Sequence, residues 1–343
     1  MAKEELTPMQ RNFNFQKVIT AVGALLMLAK FLAYFMTHSV SILTDALESI
    51  VNVAAGAIGL FALYTSMKPA DRDHPYGHGK VELISSSIEG TMIVAAGVMI
   101  ILQSVERFVM GDFEIRSLDI GLAIVALAAV VNFAMGFTAI RMGKASRSVA
   151  LEASGRHLCS DTYSSVGILL GLGIIYVLGF MDIDANWIDP TMALLFGLII
   201  IYTGAKVVYK SFHGIMDRED IDAIRQVTRC LNHIRTDDLI DVHHVRVVLY
   251  GAAMHIDAHM VVPGSLTVDE ADRIVNHFRD ETTEMMGGNV DITFMAEPCR
   301  KQFCANCRRA ECANRVEDFA EDKRFGTDAV TNADSTVNGE TKE

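Results

Sequence analysis

The chain has 343 residues, 51% apolar and 21% charged, with a net charge of −12 and a mean hydropathy of +0.28. Its charges are unevenly placed: residues 1–210 carry 15 Lys+Arg and 17 Asp+Glu, whereas residues 211–343 carry 15 and 25. A charge-poor membrane part followed by an acidic soluble part fits this division. The acidity excludes a nucleic-acid binder, which needs a basic face, and long apolar runs with only 6 Pro exclude a disordered or fibrous chain.

In chain order, residues 1–14 read as a polar cytoplasmic segment without the cleavage site of a secretory leader. Residues 15–210 follow as a transmembrane domain. A spanning helix needs about 20 mostly apolar residues, and six stretches qualify: about 15–36, 41–66, 82–109, 118–140, 149–179 and 188–209. The N-terminus (Lys3, Arg11, Lys17), the Arg141–Arg147 loop and the end of the sixth helix (Lys206, Lys210) are basic. The alternate loops are acidic: Asp112, Glu114 and Asp119 against Arg116, then Asp182, Asp184 and Asp189. The bias of Lys and Arg toward the cytoplasm places both termini there, in a multi-pass integral membrane protein. Residues 211–298 then read helix, strand, strand, helix, strand. The expected elements are a helix at 221–233, strands at 243–249 and 254–262, a helix at 267–286 stopped by Gly287-Gly288, and a strand at 289–295. This is a small cytoplasmic α+β domain, ferredoxin-like or metallochaperone-like, with helices on one sheet face. A Cys-rich segment, 299–319, and a polar tail expected to be disordered, 320–343, close the chain.

Ionisable groups within the apolar helices are the functional candidates, since each costs about 2.5–3.5 kcal/mol to insert. The second helix places Asp45, Glu48 and Asn52 on one face, and the fifth places His157 and Asp161 one turn apart. If the faces meet, Glu48, Asn52, His157 and Asp161 supply N and O ligands for a divalent cation, and three of them can also take protons. The competing reading is hydrogen-bonded packing between helices. Between the second and third helices, Asp71, His74 and His78 lie on a loop shaped by Pro75, Gly77 and Gly79. That loop can close on a metal or be no more than polar.

Cys299, Cys304, Cys307 and Cys312 have the spacing of a four-thiolate structural zinc site. A flexible tail that binds metal adventitiously is the alternative. The neighbouring Arg300, Lys301, Arg308, Arg309 and Arg315 are expected to lower the thiol pKa values.

With these residues in place, the sequence resembles the cation diffusion facilitators, dimeric metal/proton antiporters, over about residues 12–298. The resemblance rests on His38-Ser-Val-Ser-Ile-Leu-Thr-Asp45, on Asp71-Arg-Asp-His-Pro-Tyr-Gly-His-Gly-Lys80, on His157-x-x-x-Asp161 and on Glu297-Pro298. It implies a transport site at Glu48, Asn52, His157 and Asp161 and a loop site at Asp71, His74 and His78. It further implies cytoplasmic metal ligands His243 and His259, with Asp272 and Glu297, and a charge interlock between subunits through Lys80 and Asp217.

The resemblance also implies a homodimer that exports divalent cations from the cytoplasm in exchange for protons, by alternating access, in the inner membrane of a prokaryote. In the family's zinc transporters the positions of Glu48 and Asn52 are usually His or Asp, and Asp. The harder Glu/Asn/His/Asp shell leaves Mn²⁺ and Fe²⁺ open beside Zn²⁺. Met295, at a position often histidine, weakens a full cytoplasmic cluster. The alternative is a membrane-anchored metal sensor or scaffold that does not transport. Enzyme function is not expected: the chain has no paired nucleophile and base, and no glycine loop for a phosphate.

Overall fold

A computed structural model of the protein describes residues 6–37, 40–110, 120–179, 187–251, 253–287, 290–313 and 315–331. The side chains of Asp45, Glu48 and some other helical residues lie outside the described ones, as do most of both acidic loops and residues 332–343. The chain divides into two compact units, Met1–Met216 and Asp217–Glu343.

The first unit is a bundle of six helices: α1 (Pro8–Thr37), α2 (Val40–Ser66), α3 (Val81–Met110), α4 (Ile120–Ala145), α5 (Val149–Gly179) and α6 (Ile188–Ile215). Over the described residues, all but α5 are long and apolar enough to cross a membrane. α5 is the longest, 31 residues, and carries Glu152, Arg156, His157 and Asp161 in its first half. Leu28, Leu32, Phe61, Val130, Phe137 and Leu198 are exposed, as side chains facing lipid are.

The helices meet on small residues. A Cβ on Gly136 would lie 2.8 Å from the Gly155 carbonyl oxygen, and one on Gly155 only 2.7 Å from that of Gly136, so α4 and α5 touch backbone to backbone. The same packing joins α3 to α6, where a Cβ on Gly97 would lie 3.0 Å from the Gly197 carbonyl oxygen.

The second unit runs α7 (Ile221–His233), β1 (Asp241–Tyr250), β2 (Ala253–Val262), α8 (Val268–Met285) and β3 (Val290–Pro298). β2 is central, antiparallel to β1 and parallel to β3. Asp220 caps α7 by accepting from the Asp222 and Ala223 amides. Thr267 and Glu270 form a reciprocal cap on α8.

Strand alternation sorts the sheet faces. Met254, Ile256, Ala258 and Met260 enter a core with Val227, Leu231 and Phe278 of the helices, which leaves His255, Asp257 and His259 on the opposite face. After β3, a 3₁₀ turn at Lys301–Asn306 folds back so that Phe303 and Cys307 pack on Ile240 and Val261.

The expectation of a disordered segment from residue 320 does not hold for 320–331. Phe325 and Val330 are buried in the domain core, and Thr327–Thr331 forms a short helix, α9. Asn232 donates to the Phe325 carbonyl at 2.9 Å, Lys323 reaches Asp241 at 2.9 Å, and the Arg235 guanidinium stacks 4.7 Å over the Phe325 ring. Two apolar side chains in a polar stretch are enough to anchor it.

Candidate metal sites

In the membrane unit, α2 and α5 do bring their polar faces together. The Asn52 amide is the bridge: Nδ2 donates to Asp161 Oδ2 at 2.8 Å, and Oδ1 lies 3.1 Å from His157 Nε2. His157 is buried, and its Nδ1 has no partner among the described residues. An amide can donate to one neighbour and accept from the other, which a second carboxylate cannot do without a proton. Three of the four expected transport ligands thus share one locus inside an apolar bundle. Glu48 lies one turn before Asn52 on α2, with its side chain outside the described ones.

The loop between α2 and α3 gathers its three candidates. Asp71 Oδ1 accepts from the amides of Asp73 at 3.0 Å and His74 at 2.7 Å and sits 3.2 Å from His74 Nδ1, while Oδ2 lies 3.4 Å from His78 Nε2. One ligand atom from each residue falls within 4.8 Å of the others. Gly77, at φ 79°, makes the turn that folds His78 back, and its amide donates to the His74 carbonyl at 2.9 Å. The His74 amide is the main reason the Asp71 carboxyl is held below its usual range. The carboxylate is therefore ionised over the whole neutral range.

In the second unit, His243 and His259 are register partners on β1 and β2, and Glu297 projects beside them from β3. Glu297 Oε1 is 2.7 Å from His259 Nδ1 and its Oε2 is 3.5 Å from His243 Nε2. His243 Nδ1 is buried without a partner among the described residues. Burial pushes the His243 pKa below the usual imidazole value, with Glu297 and Asp241 acting in the opposite direction. A neutral buried imidazole, a second imidazole and a carboxylate are the donors a zinc-type cation takes, so the residues fit one.

Asp272 stands apart from this triad. It is exposed on α8, accepts from Asn276 Nδ2 at 2.8 Å and lines a groove of about 340 Å³ that Glu297 also borders. His244 is a residue that the sequence reading missed. A bulge between His243 and Arg246, with His244 at φ 55°, breaks strand alternation and stacks the His244 ring 4.7 Å from that of His259. The His-His pair was the available signal, but nothing in the sequence marked the bulge.

The four cysteines are free and lie along the returning segment. The Cys299 amide extends the strand pairing by donating to the Val262 carbonyl at 2.8 Å, and the Gly264 amide donates to Cys299 Sγ at 3.3 Å. Cys307 is buried among Ile240, Val261 and Phe303. The thiols are not gathered within mutual ligand distance as the loop and His–His–Glu groups are. The expected lowering of the thiol pKa values is corrected for Cys307: burial raises it. Two of the neighbouring guanidiniums are paired with carboxylates, Arg308 with Asp237 at 2.8 Å and with Asp322, and Arg309 with Asp238 at 3.5 Å, while Arg315 donates to the Cys307 and Arg309 carbonyls. Lys80 and Asp217 fall in different units, Asp217 at φ 54° opening the second.

Apolar helices that bring an amide, an imidazole and a carboxylate together at mid-bundle, with an α+β domain bearing a His–His–Glu triad, define a membrane transporter of metal cations. Residues 17–216 match the model of the cation efflux transmembrane domain, and residues 216–299 that of the cation efflux protein cytoplasmic domain. The chain belongs to the cation diffusion facilitator family, which comprises transporters and not enzymes. It is 32% identical over 286 residues to an uncharacterized transporter, sll1263, of Synechocystis sp., covering 82% of this chain and 89% of the relative. It is 24% identical over 290 residues to the cation-efflux pump FieF of Salmonella agona, covering 82% and 90%.

Proposed function

We propose that the protein is a homodimeric secondary transporter that exports a divalent transition-metal cation, Zn²⁺ or the harder Mn²⁺ or Fe²⁺, from the cytoplasm in exchange for protons. The carrying observation is the Asn52 bridge between His157 and Asp161 in an apolar bundle. Metal and proton compete for the same lone pairs on His157, Asp161 and Glu48, so loading one releases the other. An alternating-access change then turns the site from the inside to the outside. Similarity to relatives named as an efflux pump and a transporter supports movement rather than storage.

In this reading the Asp71–His74–His78 loop collects metal near the cytoplasmic mouth. The His243–His259–Glu297 triad, with Asp272 at its margin, binds metal as a regulator and tightens the dimer. Lys80 and Asp217 interlock the subunits, both termini are cytoplasmic, and the membrane is the inner membrane of a prokaryote. Cys299, Cys304, Cys307 and Cys312 take a zinc ion as four thiolates, with the Gly264 amide donating to the Cys299 sulfur.

The test is flux against binding. Purified protein in proteoliposomes is challenged with Zn²⁺, Mn²⁺, Fe²⁺, Co²⁺ and Cd²⁺ separately, and bound and internalised metal are measured in parallel. Internalisation of at least one of these metals is expected. Binding of metal without any movement would instead identify an anchored sensor.

A further inference from the structure

The membrane unit holds another buried carboxylate that the metal sites leave unused. Glu89 of α3 is fully enclosed. Its Oε1 accepts the Ser154 hydroxyl of α5 at 3.0 Å, and its Oε2 is buried with no hydrogen-bond partner among the described residues. Gln16 of α1, equally enclosed, donates through Nε2 to the Gly56 carbonyl at 3.2 Å and leaves its own Oε1 without a donor among the described residues. These groups meet at Gly59 of α2, where a Cβ would lie 2.9 Å from Gln16 Nε2, Glu89 Oε1 and Ser154 Oγ at once. Two acceptor oxygens without donors, one of them charged, are costly in an apolar bundle. A proton on Glu89 removes the charge and turns one acceptor into a donor.

The other buried anions differ. Glu82, two turns earlier on α3, receives the Ser148 hydroxyl at 2.6 Å and the Ala150 amide at 3.3 Å, at the start of α5 where the helix dipole favours an anion. Glu152 of α5 is paired with Arg156 at 2.7 Å and with Lys210 of α6 at 2.8 Å. On α1, Lys17 rests over the Phe13 ring at 4.1 Å. Lys206 of α6 is exposed. On α5 the remaining titratable groups near this level are His157, the buried thiol of Cys159 and Asp161, and on α2 Glu48 lies beyond Asn52. Glu89 alone among the described buried carboxylates has one neutral donor and a bare oxygen.

Its position suits proton movement. Ser154 lies one turn before His157 on α5, and Gly59 lies two turns after Asn52 on α2, so Glu89 sits between the metal locus and the end of the bundle bearing the α2–α3 loop. We infer that Glu89 is a proton-carrying site of the transport cycle, an inference that rests on the antiport reading. As metal displaces a proton from His157 or Asp161, the neutral Glu89 acid gives its own proton to water on the loop side and is reprotonated at Oε2 by the displaced one.

Infrared difference spectra of the purified full chain, parent and Glu89→Gln, test the protonation directly. Glu89→Gln keeps the side-chain shape and the contact with Ser154, and Glu89→Asp serves as the conservative variant. The parent is expected to give a protonated-carboxyl band that titrates with pH, changes on Zn²⁺ addition and is missing in Glu89→Gln. In proteoliposomes, Zn²⁺-driven proton flux is expected to fall about tenfold or more in Glu89→Gln, as on loss of a proton-transfer group. Zn²⁺ affinity should stay at the parental value, and Glu89→Asp should restore a pH-dependent flux. Glu82→Gln, the control, should lower thermal stability and leave the pH profile unchanged. A parental band and pH profile in Glu89→Gln would overturn the role of Glu89 alone. Zn²⁺ flux without proton flux in the parent would overturn the antiport reading, and Glu89 as a carrier with it.

Discussion

In the proposed reading, metal chemistry turns on Asn52. Its amide donates to Asp161 and accepts from the His157 side, so one neutral side chain serves both neighbours. In Asn52→Asp two carboxylates would face each other at about the present 2.8 Å, and like charges that close share a proton. The variant is expected to bind metal with a steeper pH dependence and to shift preference toward Zn²⁺. Competitive uptake of Zn²⁺ and Mn²⁺ at two pH values checks this, and an unchanged preference would mean that the amide does not tune selectivity. The helical spacing of Asn52, His157 and Asp161 was legible because a helix puts i and i+4 on one face whatever surrounds it. Gln16 and Glu89 were not legible as a pair, since their meeting at Gly59 depends on how three helices cross. His244 escaped for a related reason: period-two alternation puts neighbouring strand residues on opposite faces, and only the bulge at φ 55° undoes that.

At the scale of elements, local chemistry decides the ends and long-range packing decides the rest. α8 starts at Thr267 because Thr267 and Glu270 cap each other. The Thr267 amide and hydroxyl hold the Glu270 pKa below its ordinary value of 4.5. A lowered carboxylate stabilises the fold above its ordinary pKa and loses that contribution as pH falls through the lowered value. Amides in the first turn of α8 are therefore expected to lose protection, relative to their intrinsic exchange rates, as pH falls below about 4.5, and Thr267→Ala should lower their protection at neutral pH, at a cost of about 1 kcal/mol. Hydrogen exchange on the full chain measures both. The tail makes the opposite point. Residues 320–331 looked too polar to fold, yet Phe325 finishes the core. Phe325→Ala is expected to destabilise the second unit by about 3–5 kcal/mol, read as a lower unfolding midpoint in denaturant. A change within about 0.5 kcal/mol would mean that the segment only rests on the surface.

At the scale of the whole molecule, the division of charge between the first 210 residues and the remainder anticipated a membrane unit and an acidic α+β unit. The placement of the rare buried charges, rather than their number, then pointed to the locus that Asn52, His157 and Asp161 share. The two halves of the chain match the family's transmembrane and cytoplasmic models, and each unit holds its own cluster of metal-type donors. In the proposed reading, cation transport rests on a small polar locus in the bundle, with the loop and cytoplasmic clusters serving it. The most direct measurement is Zn²⁺-driven proton flux in proteoliposomes, parent against Asp161→Ala, with an internal pH dye. Proton movement coupled to Zn²⁺ is expected in the parent and its loss in the variant, with the cytoplasmic triad still binding metal. Undiminished coupled flux in Asp161→Ala would contradict that expectation.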